Sequence, residues 1–255
     1  MLVIAHISDT HFDLRERARS RTRRVMAYLR GLRLDAILVT GDIADHGAIA
    51  EYRQAAAELV ADFPVLLLPG NHDERSAFRA VLGPAGAGGA GPVNQVRRVG
   101  GAVFALCDSS VPGRNEGSLA PETLAWLSDV LAGTDAPTFV CLHHPPAPVH
   151  SPLLDEIRLA DAAGLATLVE KSPHVVAVLC GHAHMAAAAT FAGRPMLVAP
   201  AVVSTLRLPW TTTEELTWQN IVDFDRPPEV AFHALDADRR LSTHYRVVPT
   251  GPRHE

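Results

Sequence analysis

Residues 65–73 read VLLLPGNHD, a short apolar run that ends in a polar block. Four other places in the chain repeat this pattern of an apolar, strand-like run followed by Asp, His or Gly. They are residues 2–11 (LVIAHISDTH), 36–42 (AILVTGD), 139–146 (FVCLHHPP) and 175–184 (VVAVLCGHAH). Because the strands of a mostly parallel sheet share their carboxyl-terminal edge, we expect the five polar blocks to meet along one rim.

The polar blocks carry the donor atoms of a metal site. The candidate ligands are Asp9, His11, Asp42, Asn71, His143, His182 and His184. Carboxylate oxygen, amide oxygen and imidazole nitrogen suit hard to borderline cations, and there is no thiolate among them to favour a soft metal. An aspartate or histidine at the end of a single strand is more often a cap or turn residue than a ligand. Five such blocks in one chain nevertheless indicate a site for two metal ions.

The composition limits the class of protein. The chain has 255 residues, of which 47% are hydrophobic, so it can bury a full core, and we expect one domain over residues 1–255. The net charge of -5 argues against a broad nucleic-acid surface, which needs clustered Lys and Arg.

No stretch approaches the roughly 18 apolar residues of a membrane span, and the chain begins directly with a strand-like run. We therefore expect a cytoplasmic protein. Whether it forms a homo-oligomer stays open.

The three cysteines agree with that compartment. Cys107, Cys141 and Cys180 are odd in number and widely spaced, and each lies in or at the end of an apolar run. No C-x-x-C pair is present, as a redox or zinc motif would require. We expect all three to be small buried hydrophobic residues without disulfides.

The remaining sequence predicts strands that alternate with helices through the first two thirds of the chain. Helices are expected at 17–32, about 50–60, about 74–82, 121–131 and within 153–170, and paired strands at 93–99 and 102–106. The Gly- and Ala-rich tract 83–92 indicates an excursion or the approach to a hairpin. A strand-turn-strand signal at 190–195 and a hairpin of 230–235 with 241–248 suggest a second sheet.

We therefore expect an α/β fold in the form of a four-layer αββα sandwich, with two mixed sheets inside and helices outside. The C-terminal part, from about residue 201, should add a loop and a hairpin to the second sheet.

Together, the order D-x-H, G-D, G-N-H-D, H-H-P-P and G-H-x-H resembles the calcineurin-like metallophosphoesterase superfamily over roughly residues 1–200. Within it, the chain is most similar to the class III cyclic-nucleotide phosphodiesterases and their glycerophosphodiesterase relatives. The resemblance implies two transition-metal ions, with Mn, Fe, Zn and Co all suited to these ligands. It implies that the first ion is held by Asp9, His11 and His184, the second by Asn71, His143 and His182, and both by Asp42.

The same resemblance implies roles for the other residues of the motifs. Asn71 and His72 are expected to contact the substrate phosphate, and His72 to assist the leaving group as a catalytic residue. Asp73 is expected to orient His72 and is counted as the second catalytic residue. His144, the second histidine of its doublet, is expected to pack beside the site rather than to bind metal.

The implied activity is the hydrolysis of a small phosphodiester by a metal-bound hydroxide, best exemplified by a 3′,5′-cyclic nucleotide. A general phosphomonoesterase, and a glycerophosphodiesterase or nuclease-type phosphoesterase, remain alternatives on the same site. A protein-binding scaffold with the same fold is the alternative of another class.

Two further segments of the sequence each allow two interpretations. The arginine-rich run 15–24 is either the solvated face of a helix or, in its first residues, the mouth of the site. Arg207, Trp210 and Trp218 lie in a segment after the last motif, where the tryptophans either stack on a base or pin a loop to the core.

Overall fold

The computed structural model describes residues 1–83, 89 and 91–249. Most of the tract 83–92 therefore lies outside the described residues. The strands are β1 (Leu2–Ile7), β2 (Ala36–Thr40), β3 (Val65–Leu68), β4 (Gln95–Val99), β5 (Ala102–Leu106), β6 (Thr138–Cys141), β7 (Val175–Cys180), β8 (Ala187–Phe191), β9 (Arg194–Val198), β10 (Thr205–Leu206), β11 (Val222–Asp223), β12 (Glu229–Leu235) and β13 (Leu241–Val247). The helices are α1 (Glu16–Arg30), α2 (Ile49–Glu58), α3 (Arg75–Leu82), α4 (Pro121–Ala132), α5 (Pro152–Glu156) and α6 (Ala163–Lys171).

Two mixed sheets form the two inner layers of the fold. The first has the order β13-β12-β1-β2-β3, and the second has the order β4-β5-β6-β7-β9-β8. In the first, β1, β2 and β3 are parallel and β12 is antiparallel to β1. In the second, β5, β6, β7 and β9 are parallel, with antiparallel strands at both edges.

Three hydrophobic cores hold the layers together. Ile4, Leu38 and Leu68 from the first sheet share the central core with Phe104 and Phe139 from the second. A second core packs the first sheet on the helices before residue 83, and a third packs the second sheet on α4, α5 and α6. Because each sheet is covered on both faces, its central strands are apolar throughout, as the continuous runs in the sequence predicted. The predicted four-layer αββα sandwich is confirmed.

The five motif strands are confirmed, but they do not share one sheet. β1, β2 and β3 belong to the first sheet, and β6 and β7 to the second. The expected single rim was therefore wrong, because the apolar pattern of a strand buried on both faces does not show which neighbour it pairs with. The polar blocks meet instead where the carboxyl ends of two packed sheets face each other.

The C-terminal hairpin also differs from the expectation. Strand β12 pairs with β1 in the register Leu2 to Leu235, so the hairpin of β12 and β13 extends the first sheet and not the second. Leu235 contributes to the core between the sheets, and Val230 to the core under the helices. The two faces of β12 are buried in these two cores, which holds the strand beside β1. In this position β12 covers a sheet edge that would otherwise be exposed.

The expected helical region 153–170 is divided into α5 and α6. Between them the chain leaves the helical path, because the Leu159 N–H donates to the Pro145 carbonyl and the Ala160 N–H to the Gly117 carbonyl. The strand-turn-strand signal at 190–195 is confirmed as β8 and β9. No helix in the described part of the chain is long and apolar enough to cross a bilayer.

Candidate metal centre

The loops that carry the candidate ligands have an unusual backbone. Five candidates adopt positive φ angles, which non-glycine residues rarely do. They are Asp9 (53°), His11 (43°), Asp42 (49°), His182 (67°) and His184 (51°). Each such residue costs about 1–3 kcal/mol unless the surroundings hold it, and such residues cluster at functional sites. The bends turn the chain sharply at the end of β1, β2 and β7, where the two sheets meet.

Gly41 lets the loops of the two sheets touch. Its φ is 92°, and a Cβ at this position would lie 2.5 Å from His143 Nδ1 and 2.8 Å from the Gly70 nitrogen. Any side chain would therefore push apart the loops after β2, β3 and β6. The close approach places Asp42 next to the ligands from the second sheet.

A first cluster brings together donor atoms from the loops after β1, β2 and β7. His184 Nε2 lies 3.2 Å from His11 Nε2 and 3.3 Å from Asp9 Oδ1. His11 Nε2 is 3.9 Å from Asp9 Oδ1 and 3.5 Å from Asp42 Oδ2. All four residues are buried or nearly so.

A second cluster lies beside the first. His143 Nε2 is 3.1 Å from Asn71 Oδ1, 3.2 Å from His182 Nδ1 and 3.4 Å from Asp42 Oδ2. Asp42 Oδ2 therefore borders both clusters. The other oxygen of Asp42 accepts a hydrogen bond of 2.9 Å from the His72 backbone N–H, which holds the carboxylate in this orientation.

The outer nitrogen of each histidine has a partner that selects the tautomer. Nδ1 of His143 donates to the Thr40 carbonyl, Nε2 of His182 to the Ile157 carbonyl and Nδ1 of His11 to the Asp45 carboxylate. Nδ1 of His184 contacts the Ser204 hydroxyl at 2.8 Å. With the outer nitrogen protonated, a neutral imidazole directs a lone pair from its other nitrogen into the cluster, as a metal ligand must.

These atoms fit a pair of metal ions. Metal–ligand bonds of about 2.0–2.2 Å place neighbouring ligand atoms roughly 3.0–3.5 Å apart in tetrahedral or octahedral geometry, and most spacings within both clusters lie in this range. Asp9 Oδ1 is buried and has no hydrogen-bond partner, whereas Asp9 Oδ2 accepts the His182 N–H at 3.0 Å. A buried carboxylate oxygen without a donor is costly unless a cation binds it.

Comparison with known proteins agrees with this geometry. Residues 2–186 match the profile of the calcineurin-like phosphoesterases. The chain belongs to this family. It is 36% identical to the glycerophosphodiester phosphodiesterase GpdQ of Enterobacter lignolyticus, over 72% of this chain and 71% of the relative. It is 37% identical to the cAMP/cGMP dual specificity phosphodiesterase MT0825 of Mycobacterium tuberculosis, over 80% of this chain and 68% of the relative.

Among solved structures, the fold resembles a dimetal phosphatase from Danio rerio with a TM-score of 0.70 and 18% identity, over 97% of this chain and 96% of that one. At this identity the likeness shows the fold alone. As a member of the calcineurin-like phosphoesterase family, the protein is a metal-dependent phosphoric ester hydrolase, and the family's dinuclear centre matches the Asp and His clusters described above.

The charged groups of the phosphoesterase site shift one another's pKa values. Burial lowers the pKa of His11, but the hydrogen bond to Asp45 and the charges of Asp42 and Asp9 outweigh it and raise this pKa to about 9. Burial acts against the charged form of His143 as well, and Asp42 reverses it and raises the pKa to about 9. Burial opposes ionisation of Asp9, yet the neighbouring His184 lowers its pKa to about 2. The carboxylates that raise the pKa values of His11 and His143 are the groups that would attract a cation, so metal binding at these two histidines competes with protons.

His72 lies at the edge of the second cluster and is partly exposed. Its Nδ1 donates to the Asp45 carbonyl at 2.8 Å, and the Asp45 carboxylate is 3.8 Å from the same nitrogen. Asp45 therefore orients His72, and through its carboxylate it also orients His11. Asp45 was missed in the sequence, where it stands three residues after Asp42 in an ordinary turn and no spacing rule singles it out.

Asp73 does not contact His72, so the expectation that it orients this histidine was wrong. Its carboxylate accepts the N–H groups of Ile43, Ala44 and Gly70 and the hydroxyl of Tyr52. It ties the loop after β2 to the loop after β3. Burial and the nearby Asp42 charge raise the pKa of Asp73 to about 6, although the backbone donors oppose this shift.

His144 lies behind the centre. Its Nδ1 contacts the Ser109 hydroxyl at 2.8 Å and its Nε2 the Asn115 carbonyl at 3.1 Å, so neither nitrogen is left for a metal. Its ring packs against that of His182 with the centroids 4.6 Å apart. This is the packing position that the sequence predicted.

The centre opens into a cavity of about 620 Å³. Trp218 lines it, whereas Arg207 and Trp210 do not, and Trp210 is 65% exposed. From the arginine-rich run, Arg15 and Arg17 line the cavity. The first residues of that run therefore form part of the mouth. Later ones contact other elements, since Arg19 and Arg23 pair with Glu58 of α2.

Proposed function

We propose that this phosphoesterase hydrolyses a small phosphodiester, with a 3′,5′-cyclic nucleotide as the favoured substrate. The observation that carries the proposal is the pair of ion-sized clusters that meet at Asp42 Oδ2. Two relatives at 36% and 37% identity are named for activity on diesters, and one of them for cyclic nucleotides. The cavity has the size typical of small-molecule sites, about 300–1,000 Å³.

Each ion would have its own ligands and one in common. Asp9, His11 and His184 would hold the first, and Asn71, His143 and His182 the second, with Asp42 shared. When bound, such a pair of cations supplies Lewis acidity for an in-line displacement at phosphorus. Carboxylate, amide and imidazole ligands support Mn, Fe, Zn or Co. Asn71 adds no charge, which limits the negative charge that opposes an anionic substrate.

His72 would act on the substrate directly. Its Nδ1 is engaged by the Asp45 carbonyl, so Nε2 is the nitrogen left to act on the substrate. As imidazolium, Nε2–H would bind a phosphate oxygen and then donate its proton to the leaving alkoxide, which becomes an alcohol. Asn71, at the same edge of the cavity, would contact the phosphate from its neighbouring position.

A cytoplasmic setting is also proposed. The three cysteines are buried and free, and burial raises the pKa of Cys107, Cys141 and Cys180, so they remain unreactive thiols. Such cysteines suit a reducing compartment.

Glycerophosphodiester hydrolysis is the second candidate. GpdQ, which is named for this activity, is 36% identical to the chain, close to the 37% of the cyclic-nucleotide phosphodiesterase. A phosphomonoesterase would use the same centre. A scaffold function without catalysis is disfavoured, because a chain that no longer bound metal would have no reason to keep Asp9 Oδ1 buried without a partner.

The test is a substrate panel with defined metals. Protein reconstituted with Mn, Fe, Zn or Co is assayed on 3′,5′-cAMP, 3′,5′-cGMP, glycerophosphoethanolamine, and nitrophenyl mono- and diesters. We expect the highest kcat/KM on a cyclic nucleotide. A higher value on glycerophosphoethanolamine would assign the second candidate, and faster turnover of the monoester than of the diester would assign a phosphomonoesterase. A protein that turns over none of them with any metal would contradict the enzyme proposal.

A further inference from the structure

Part of the cavity wall comes from outside the family match. The match ends at residue 186, whereas the cavity is also lined by residues from the segment that follows it. These later residues are Val203, Ser204, Leu206, Trp218, Val222 and Phe224. The motif residues bind what all substrates of the family share, the phosphate ester. The added wall is therefore the part of the cavity in a position to distinguish one substrate from another.

This segment is attached directly to the metal centre. The Val202 N–H donates to the Ser8 carbonyl, and the Val203 N–H to the Asp9 carbonyl. Further along, the Leu206 N–H and the Thr205 hydroxyl both donate to the His184 carbonyl. The wall is thus held in a defined position relative to two candidate ligands.

Helix α1 holds both ends of the same segment. Arg21 donates to the carbonyls of Val202, Phe224 and Arg226. One helical turn earlier, the Arg17 guanidinium carbon lies 4.3 Å above the centre of the Phe224 ring. Arg21 fixes the backbone of Phe224, and Arg17 fixes its ring.

These contacts place Phe224 and the Arg17 guanidinium in the lining of the cavity, which Trp218 also joins. Phe224 is 46% exposed and Trp218 is 49% exposed, although both are large and apolar. Exposed aromatic residues that line a cavity are typical of ligand sites. Rings of this kind, and guanidinium planes, are the surfaces on which nucleobases stack.

We propose that Phe224, stacked with Arg17 and assisted by Trp218, forms the subsite for the nucleobase of the substrate. This inference rests on the proposed cyclic-nucleotide activity and identifies the residues that select for it. The phosphate occupies the metal centre near His72, and the base lies against the wall built by the segment after residue 186. A purely aliphatic alcohol, such as glycerol, has no flat face with which to use this surface.

The experiment isolates the base by comparing two ligands that differ only in it. Binding of AMP and of ribose 5-phosphate to the metal-loaded protein is measured by titration calorimetry, together with kcat/KM for 3′,5′-cAMP. The variants are Phe224→Ala, Phe224→Leu, which keeps apolar bulk without a ring, and Trp218→Ala. The matched control is Trp210→Ala, since Trp210 lies in the same segment but does not line the cavity.

We expect the wild type to bind AMP more tightly than ribose 5-phosphate. The affinity of Phe224→Ala and Phe224→Leu for AMP should fall by about 5- to 150-fold, the range of stacking on one base. The ratio of the two affinities should move toward one, and the KM for cAMP should rise more than kcat falls. Trp210→Ala should match the wild type. Thermal unfolding of each variant checks that it is folded.

Two other outcomes overturn the inference in different ways. If the wild type hydrolyses cAMP and the Phe224 variants keep its ratio of affinities, the subsite is wrong while the proposed function stands. If the wild type shows no preference for AMP and turns over glycerophosphoethanolamine but not cyclic nucleotides, both the subsite and the cyclic-nucleotide proposal are wrong.

Discussion

Asp42 Oδ2 lies 3.4 Å from His143 Nε2, although Asp42 follows a strand of the first sheet and His143 a strand of the second. The contact requires the two sheets to pack with their carboxyl ends side by side. It also requires glycine at position 41, where a Cβ would meet the His143 ring. The proposed dinuclear centre is therefore a property of the interface between the sheets.

The first prediction concerns the shared carboxylate. Asp42→Ala should lower occupancy of both metal sites and abolish activity, because it removes a ligand from two clusters at once. Asp9→Ala should reduce mainly the occupancy of one site. Elemental analysis of reconstituted protein measures both effects, with up to two ions per chain expected for the wild type. The exposed Asp129 provides the control, and Asp129→Ala should retain full occupancy. Equal loss in the Asp42 and Asp9 variants would argue against a bridge.

The second prediction separates catalysis from metal binding. His72→Ala should retain near-normal metal content, because His72 Nδ1 bonds to a backbone carbonyl and the side chain borders the clusters without completing either. Turnover should fall by about 10²- to 10⁴-fold, the usual contribution of a general acid or base. The measurements are kcat and metal content on the same preparation. A loss of metal as large as that in Asp42→Ala would make His72 a ligand instead.

The third prediction concerns Asp45, which the sequence did not single out. Asp45→Ala should weaken the first metal site by about 10- to 100-fold, because His11 loses the carboxylate that holds its Nδ1 proton. The second site should change less, since none of its candidate ligands contacts Asp45. Competition with a chelator measures the two affinities. His46→Ala is the neighbouring control, with its imidazole paired to Glu51 on the surface. Equal weakening of both sites would contradict the assignment.

The fourth prediction concerns a buried histidine pair beneath the centre. His6 Nδ1 lies 3.0 Å from His233 Nε2, and burial lowers the pKa of His233 to about 3 and that of His6 well below its usual value. Both are neutral in the folded protein, whereas in the unfolded chain they bind protons below about pH 6.5. The unfolded state then binds more protons, so stability falls as the pH drops from about 6.5 toward 3.

Denaturant unfolding of metal-free protein at several pH values measures this effect. Each histidine contributes at most about 1.4 kcal/mol per pH unit. His233→Gln should reduce the slope of the unfolding free energy between pH 6 and 4 by about one proton. The exposed His46 serves as the comparison, because its pKa is raised by Glu51 and it cannot produce a loss of this sign. An unchanged slope in His233→Gln would show that the pair is protonated in the folded state.

Much of the site was predictable because its residues lie within a few positions of a strand end. Asp9 and His11, or His182 and His184, are close in sequence and follow short apolar runs typical of buried strands. Asp45 and Ser204 could not be found in this way, because they act through single hydrogen bonds to His11 and His184. Asp73 shows the opposite error, since the family resemblance implied a contact with His72, whereas its four hydrogen bonds go to other groups.

The sequence by itself determined the strands, the ligand types and the family, because side-chain chemistry and hydrophobic pattern are local properties of the chain. Only the tertiary structure decided which sheet each strand joins, since a strand buried on both faces carries no mark of its neighbour. It likewise decided that Arg17 and Phe224, more than 200 residues apart, stack at the mouth of the cavity. Contacts at that separation depend on how the cores pack, and packing is a property of the whole chain.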